Sequence, residues 1–188
     1  MSFQSVLKKG AGRFLVAMLT ALIIGCGGNV SDTEHVQRAK RLQAEGDVRA
    51  ASIELKNALQ QNANNPEARY LLGKINNQIG NGAAAEKELM QAQGLGVAKE
   101  ALLPELARAW LLQAEYDRVL EQIDPSAIRD HPDSERLYAL LGEAYLGKHQ
   151  LEKAGSYFDK AVELDSESLL GLLGKAKTVA VHGDAEKS

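Results

Sequence analysis

The sequence predicts an all-α chain folded as a right-handed superhelical solenoid of stacked antiparallel helix pairs. Two sets of echoes lead there. Gly46, Ala51, Leu55 and Ala58 return as Gly80, Ala85, Leu89 and Ala92, each 34 residues later. Leu72-Gly73 returns as Leu141-Gly142, and Ala85, Leu89 and Ala92 return as Ala154, Phe158 and Ala161, all 69 residues later, which is two periods and one inserted residue. Small and large residues in register are what such an array needs, because each unit buries one face on its predecessor and another on its successor.

A 34-residue helix–turn–helix period is that of the tetratricopeptide repeat (TPR). Units then begin at Asp32, Pro66, Glu100, Glu135 and Leu169, with the divergent stretch from Glu100 to Ser134 as the third. Apolar periodicity and breakers predict paired helices at 32–45 with 48–61, 66–79 with 83–93, 100–113 with 116–123 and 135–147 with 151–164, then one more at 168–181. Ser31 and Glu34 have capping-box spacing before the first helix. Ala39, Gly73, Ala107, Gly142 and Ala176 hold the eighth place of each unit, where its two helices cross and a longer side chain would push them apart. Ala51, Ala85 and Ala154 play the same part on the second helix. Gly46, Gly80 and Gly183 stand where a first helix closes in the left-handed conformation, with Ala114 in the corresponding place of the third unit. Leu55, Leu89, Ile123 and Phe158 are expected to fill the space between units, and Pro66 suits a first helical position. Gly94-Leu95-Gly96 ends the second unit, and Asp124-Pro125 cuts the third unit's second helix short. Ser126 to Pro132 then makes an irregular connection with room for one helical turn. After 181, His182-Gly183-Asp184 parallels the turn at Glu45-Gly46-Asp47 and announces a second helix, while Leu169, Leu170, Leu172, Leu173, Val179 and Val181 leave an apolar end. The expectation is an amino-terminal piece of a longer repeat protein.

The first 25 residues read differently. Lys8, Lys9 and Arg13 precede the apolar run from Phe14 to Ile24, shorter than the roughly 20 residues that span a bilayer. A basic start, an apolar core and small residues at its end form a secretory signal. Ile23-Ile24-Gly25-Cys26 resembles a bacterial lipobox, which implies cleavage before Cys26 and lipidation of it. Cys26 is the single cysteine, so no intramolecular disulfide can form. The predicted organisation is a signal over 1–25, a lipidated tether over 26–31 and the TPR array over 32–188. Acyl chains anchor through burial of methylenes, about 0.8 kcal/mol each. Gly27, where an aspartate would signal retention in the inner membrane of many Gram-negative bacteria, implies the periplasmic side of the outer membrane, with the inner membrane as the alternative.

Removing Lys8, Lys9 and Arg13 from 22 basic residues leaves 19 against 25 acidic ones. That balance argues against nucleic acid, whose phosphates need a basic face. Concave surfaces of such arrays are lined by the second, fifth, sixth, ninth, twelfth and thirteenth places of each unit. The ninth places are Lys40, Lys74, Arg108, Glu143 and Lys177, so three successive cations make a ladder that fits an acidic peptide or an anionic polysaccharide. The bland alternative is a solvated charged face. Tyr70, Asn77 and Gln78 face the same groove, whereas Val36, Pro104 and Ala139 do not reproduce the Lys/Asn set that grips terminal carboxylates. His35, His131, His149 and His182 lack ligand spacing, which leaves no metal or cofactor site. Glu54, Glu86 and Glu88 fall at solvated helix positions, Trp110 is a packing residue, and no nucleophile with a base or phosphate loop emerges, so the chain reads as a non-enzyme.

The runs Gly46 to Asn62, Ala84 to Leu89 and Leu103 to Ala109, together with the lipobox, resemble the amino-terminal part of the tetratricopeptide-repeat lipoprotein of the PEP-CTERM/exosortase system. Ala63, where a repeat usually has proline, and Arg69, where it often has tryptophan, depart from the pattern. The resemblance implies a membrane-anchored scaffold with protein partners in exopolysaccharide production or export and surface-protein sorting. A module that binds or guides the polysaccharide directly is the alternative.

Overall fold

The computed structural model describes residues 30–185, with side chains through Val181; the signal segment and Cys26 lie outside the described residues. Among the described residues there are nine helices and no strand: α1 (Asp32–Ala44), α2 (Val48–Gln61), α3 (Pro66–Gln78), α4 (Gly82–Gly94), α5 (Lys99–Leu112), α6 (Tyr116–Gln122), α7 (Ser134–Gly147), α8 (Leu151–Leu164) and α9 (Leu169–Ala185). They pack as the pairs α1/α2, α3/α4, α5/α6 and α7/α8, with α9 on α8, and the first helices of successive units touch from α3 onward. The architecture is the TPR solenoid that the period predicts.

Local chemistry explains the boundaries. Asp47, Asn65 and Asn81 cap α2, α3 and α4, their side-chain oxygens accepting from the N–H of Ala50 at 2.9 Å, Ala68 at 2.9 Å and Ala84 at 3.1 Å. The turn inside each of the four complete units closes in the same way. The N–H groups of Asp47, Asn81, Glu115 and Gln150 reach the carbonyls of Leu42, Asn76, Trp110 and Tyr145 at 2.8–2.9 Å, the reach of a Schellman turn. That turn needs a left-handed residue. Gly46 and Gly80 supply φ of +83° and +80°, but Ala114 and His149 adopt +59° and +58° in the same place, so the unit imposes the geometry on residues that resist it.

Packing follows the alternation of small and large. A Cβ on Gly73 would lie 2.6 Å from Leu89 Cγ, and one on Gly142 would lie 2.6 Å from Phe158 Cε1. The large residues therefore fill the crossing within their own unit as well as the space between units, since Phe158 also lies against Gly174 of α9. Phe158 and Leu89 are fully buried.

Polar clamps hold helices together within and between units, and here the sequence reading needs correction. Glu54, Glu86 and Glu88, expected to be solvated, are partly buried. Glu54 takes His35 Nδ1 at 2.5 Å, and Glu88 takes Arg69 Nη1 at 2.6 Å. Glu86 of α4 accepts Trp110 Nε1 at 3.1 Å from α5 and Gln113 Nε2 at 3.0 Å from the residue that follows it, and pairs with Arg118 of α6 at 2.5 Å. Arg118 also lies 4.6 Å from the centre of the Trp110 ring. These carboxylates were placed by periodicity on an outward face. Glu54 and Glu88 instead meet the first helix of their own unit, and Glu86 meets the next unit.

The third unit carries a proline inside α5. Pro104 has no N–H for the Glu100 carbonyl one turn back. His131 takes over, with Nε2 3.2 Å from that oxygen while Nδ1 accepts the Asp133 N–H at 3.0 Å, an arrangement that places the ring proton on Nε2. The connection carrying His131 contains turns and bends without a helical turn, and buries Ile128.

The last unit corrects a second expectation. Gly183 does not end a helix; α9 runs on to Ala185. In the four complete units the turn at this place is closed by a backbone N–H from the entry of the second helix, whereas α9 continues through it. Ala176, at the eighth place, is exposed, as are Leu169 (69%) and Val179 (72%).

Candidate functional site

The predicted cation ladder exists as a row of positions, but its charges are not equivalent. Lys40, at one end, pairs with Glu67 of the second unit. At the other end Lys177 Nζ sits 2.7 Å from Glu143 Oε1, joining the two ninth-place residues. The two middle rungs differ. Lys74 lies over the Tyr70 ring, its Nζ 5.5 Å from the centroid, and no acid neutralises it among the described residues. Arg108 is half-buried on α5 and likewise has no acidic partner there.

Lys74 and Arg108 open onto one cleft of about 220 Å³, which Gln43, Asn77, Gln78, Glu105 and Arg136 also line. Three of these fall at places the groove rule includes but the sequence reading passed over: Gln43 at a twelfth place, Glu105 at a sixth and Arg136 at a second. Glu105 is 5% exposed. It is held by Arg136 Nη1 at 3.0 Å on one oxygen and by Asn77 Nδ2 at 2.9 Å on the other, and Asn77 Nδ2 also reaches the Glu105 carbonyl at 2.8 Å. The first helices of the second, third and fourth units are thus locked side by side at the floor of the groove.

Two predicted ligand contacts change character. Asn77 is 4% exposed and its amide group is committed to Glu105, so only Oδ1 is left. That Oδ1 is buried without a hydrogen-bond partner among the described residues, at a cost of about 1–3 kcal/mol for an unsatisfied buried acceptor. Tyr70 is half-buried against the larger core cluster. Its burial, reinforced by the Glu105 charge, pushes the hydroxyl pKa above the ordinary value, so the group stays a protonated donor. Gln78 is exposed and lines the cleft.

A larger cleft of about 450 Å³ lies between the 124–133 connection and α8. Its tyrosine and lysine are engaged, and Arg129 and Glu163 line it with opposite charges. Tyr138 donates its hydroxyl to the Pro125 carbonyl at 3.4 Å, and Lys160 lies over the Tyr138 and Tyr157 rings. The groove with unmatched cations is the better candidate. Trp110, 3% exposed, is a packing residue as predicted. Among the described residues no three His, Cys, Asp or Glu side chains could hold a metal ion, and no helix is long and apolar enough to cross a membrane. Cys26 lies outside them.

Comparison with known proteins agrees with the fold. The family described as tetratricopeptide repeat matches residues 135–168, the fourth unit. No curated protein matches the chain. Among solved structures the chain is similar to MamA from Desulfovibrio magneticus RS-1, at 24% identity over 86% of this chain and 89% of that one, with a TM-score of 0.62. It is similar to pilF of Pseudomonas aeruginosa at 19% identity over 81% and 69% of the two chains, with a TM-score of 0.61. YrrB, described as a TPR protein with an unusual peptide-binding site, aligns at 17% identity over 82% and 79%, with a TM-score of 0.58. The identical period, the shared turn and these likenesses converge: the fold of residues 32–185 is that of a tetratricopeptide-repeat protein.

Proposed function

We propose that this chain is a membrane-anchored TPR scaffold lipoprotein whose groove takes protein partners, on the periplasmic side of the outer membrane, within an exopolysaccharide/exosortase (PEP-CTERM) system. The observation that carries the binding role is the pair of unneutralised cations, Lys74 and Arg108, on helices locked by the Asn77–Glu105–Arg136 network. A groove held rigid loses little freedom when a ligand settles into it. The lipobox at Cys26 supports the anchor, and the resemblance of the 46–62, 84–89 and 103–109 runs supports the system.

Direct polysaccharide binding is the second reading. It draws on the same cations, but neutralisation of Lys40 by Glu67 and of Lys177 by Glu143 shortens the ladder to two rungs, which favours a short acidic segment over a long polyanion.

A photo-crosslinking residue at position 78 in living cells separates the two readings. The scaffold reading expects discrete protein adducts that disappear with Lys74→Glu. Adducts that resist protease and are destroyed by periodate would favour the polysaccharide. For the anchor, Cys26→Ser should abolish incorporation of a fatty-acid analogue, and undiminished labelling would refute it.

A further inference from the structure

We infer that the groove selects a ligand whose two acidic side chains stand three residues apart in a polyproline II conformation, one on Lys74 and one on Arg108. This rests on the protein-binding reading above and adds a spacing and a backbone conformation to it.

The argument begins with which charges are available. In the row of ninth-place residues, Lys40 is matched by Glu67 and Lys177 by Glu143, so an incoming acid finds its strongest attraction at Lys74 and Arg108. Arg136 is drawn to Glu105 and anchors the floor. The two available cations hold the same place on adjacent, touching first helices, α3 and α5. Helices in contact run about 8–10 Å apart. Three residues of polyproline II advance about 9.3 Å, at about 3.1 Å each, and return the side chain to the same side because that helix has three residues per turn. An extended strand fits poorly. Two residues advance about 6.6 Å, and three residues point the second side chain away from the groove.

The cleft also suits a polypeptide. Asn77 is committed to the floor through Glu105, but Gln78 lines the same cleft and is exposed, so its amide is open to a ligand backbone. Polyproline II leaves its backbone N–H and C=O groups unpaired within the chain, so a peptide in that conformation has both to offer.

The test uses the full chain and fluorescein-labelled hexapeptides of equal composition, with two glutamates at i and i+3 or at i and i+2 in a proline and alanine host. Fluorescence anisotropy at low salt should show the i+3 peptide binding about fivefold tighter, the upper end for one additional solvent-accessible ion pair. Arg108→Gln should remove that preference, and Lys74→Gln should do the same. Circular dichroism of each variant checks that the array remains folded. Equal affinity for both spacings in the folded wild-type protein would overturn the register while leaving acidic-peptide binding intact. Binding of neither peptide, with oligogalacturonate bound in an Arg108-dependent way, would overturn the peptide reading as well.

Discussion

Replacing Gly142 by alanine places a methyl group 2.6 Å from Phe158 Cε1 and 2.7 Å from Cδ1, well inside the ~3.5–4.0 Å of favourable carbon contact. The ring has no room to retreat, because it is fully buried and the same edge lies against Gly174 of α9. Two effects oppose each other. Alanine is about 1 kcal/mol better than glycine inside a helix, and overpacking a filled core costs about 1–3 kcal/mol. Gly142→Ala should therefore destabilise by up to about 2 kcal/mol. Phe158→Leu alone should cost about 1–2 kcal/mol, less than the 3–5 kcal/mol of a Phe→Ala change. Combined, they should cost less than their sum by about 1–2 kcal/mol, because alanine with leucine is the pair already used in the first unit, where Ala39 and Leu55 are both fully buried. Amide exchange in α7 and α8 reads the local opening free energy and suits an array whose units need not unfold together. Additivity within about 0.5 kcal/mol, or a net stabilisation by Gly142→Ala, would refute the wedge.

Ala114→Gly and His149→Gly should each stabilise by about 0.5–1 kcal/mol, since relief of a left-handed penalty of about 1–2 kcal/mol exceeds the entropic cost of glycine; both residues are exposed, and thermal unfolding checks the gain. At Glu86, burial alone would raise the carboxyl pKa, but hydrogen bonds from Gln113 and Trp110 and the Arg118 charge outweigh it and hold the value below the ordinary one. Its contribution is thus present above the unfolded pKa of about 4.3 and lost as pH falls through the lower folded value. The urea midpoint should fall more between pH 5 and pH 3 in the wild type than in Glu86→Gln. His131→Ala should cost about 1 kcal/mol by leaving the Glu100 carbonyl without its donor, and nothing through that bond in a Pro104→Ala background, where the restored N–H at position 104 serves the same oxygen; a double-mutant cycle measures the difference.

Much of the fold was legible because it repeats. Gly46 and Gly80 announce the turn, Gly73 and Gly142 the crossing, and Asp124-Pro125 the early end of α6, all through local rules of conformation and size. The groove was legible in its positions and less so in its state. Place in the repeat predicted that Lys40, Lys74 and Arg108 line up, but whether a cation stays unmatched depends on what the neighbouring unit sets opposite it, and Glu67 sits at a second place of the next repeat. Asn77 likewise was expected to be free and is tied down by Glu105 of the following unit.

The sequence by itself determined what repeats within 34 residues: the helix pairs, their left-handed turns, the small-to-large alternation that lets them stack and the line of ninth-place residues. These depend on backbone conformation and side-chain volume over one or two turns of helix. The tertiary structure alone decided the long-range polar pairing: Glu86 with Trp110 and Arg118 and Lys40 with Glu67 between units, and His131 with the carbonyl left open by Pro104 inside the third, against Lys74 and Arg108 left available. The physical reason is reach. A hydrogen bond or ion pair is settled within about 3–4 Å, and residues some 30 positions apart arrive at that distance only when the segments that carry them have docked on one another.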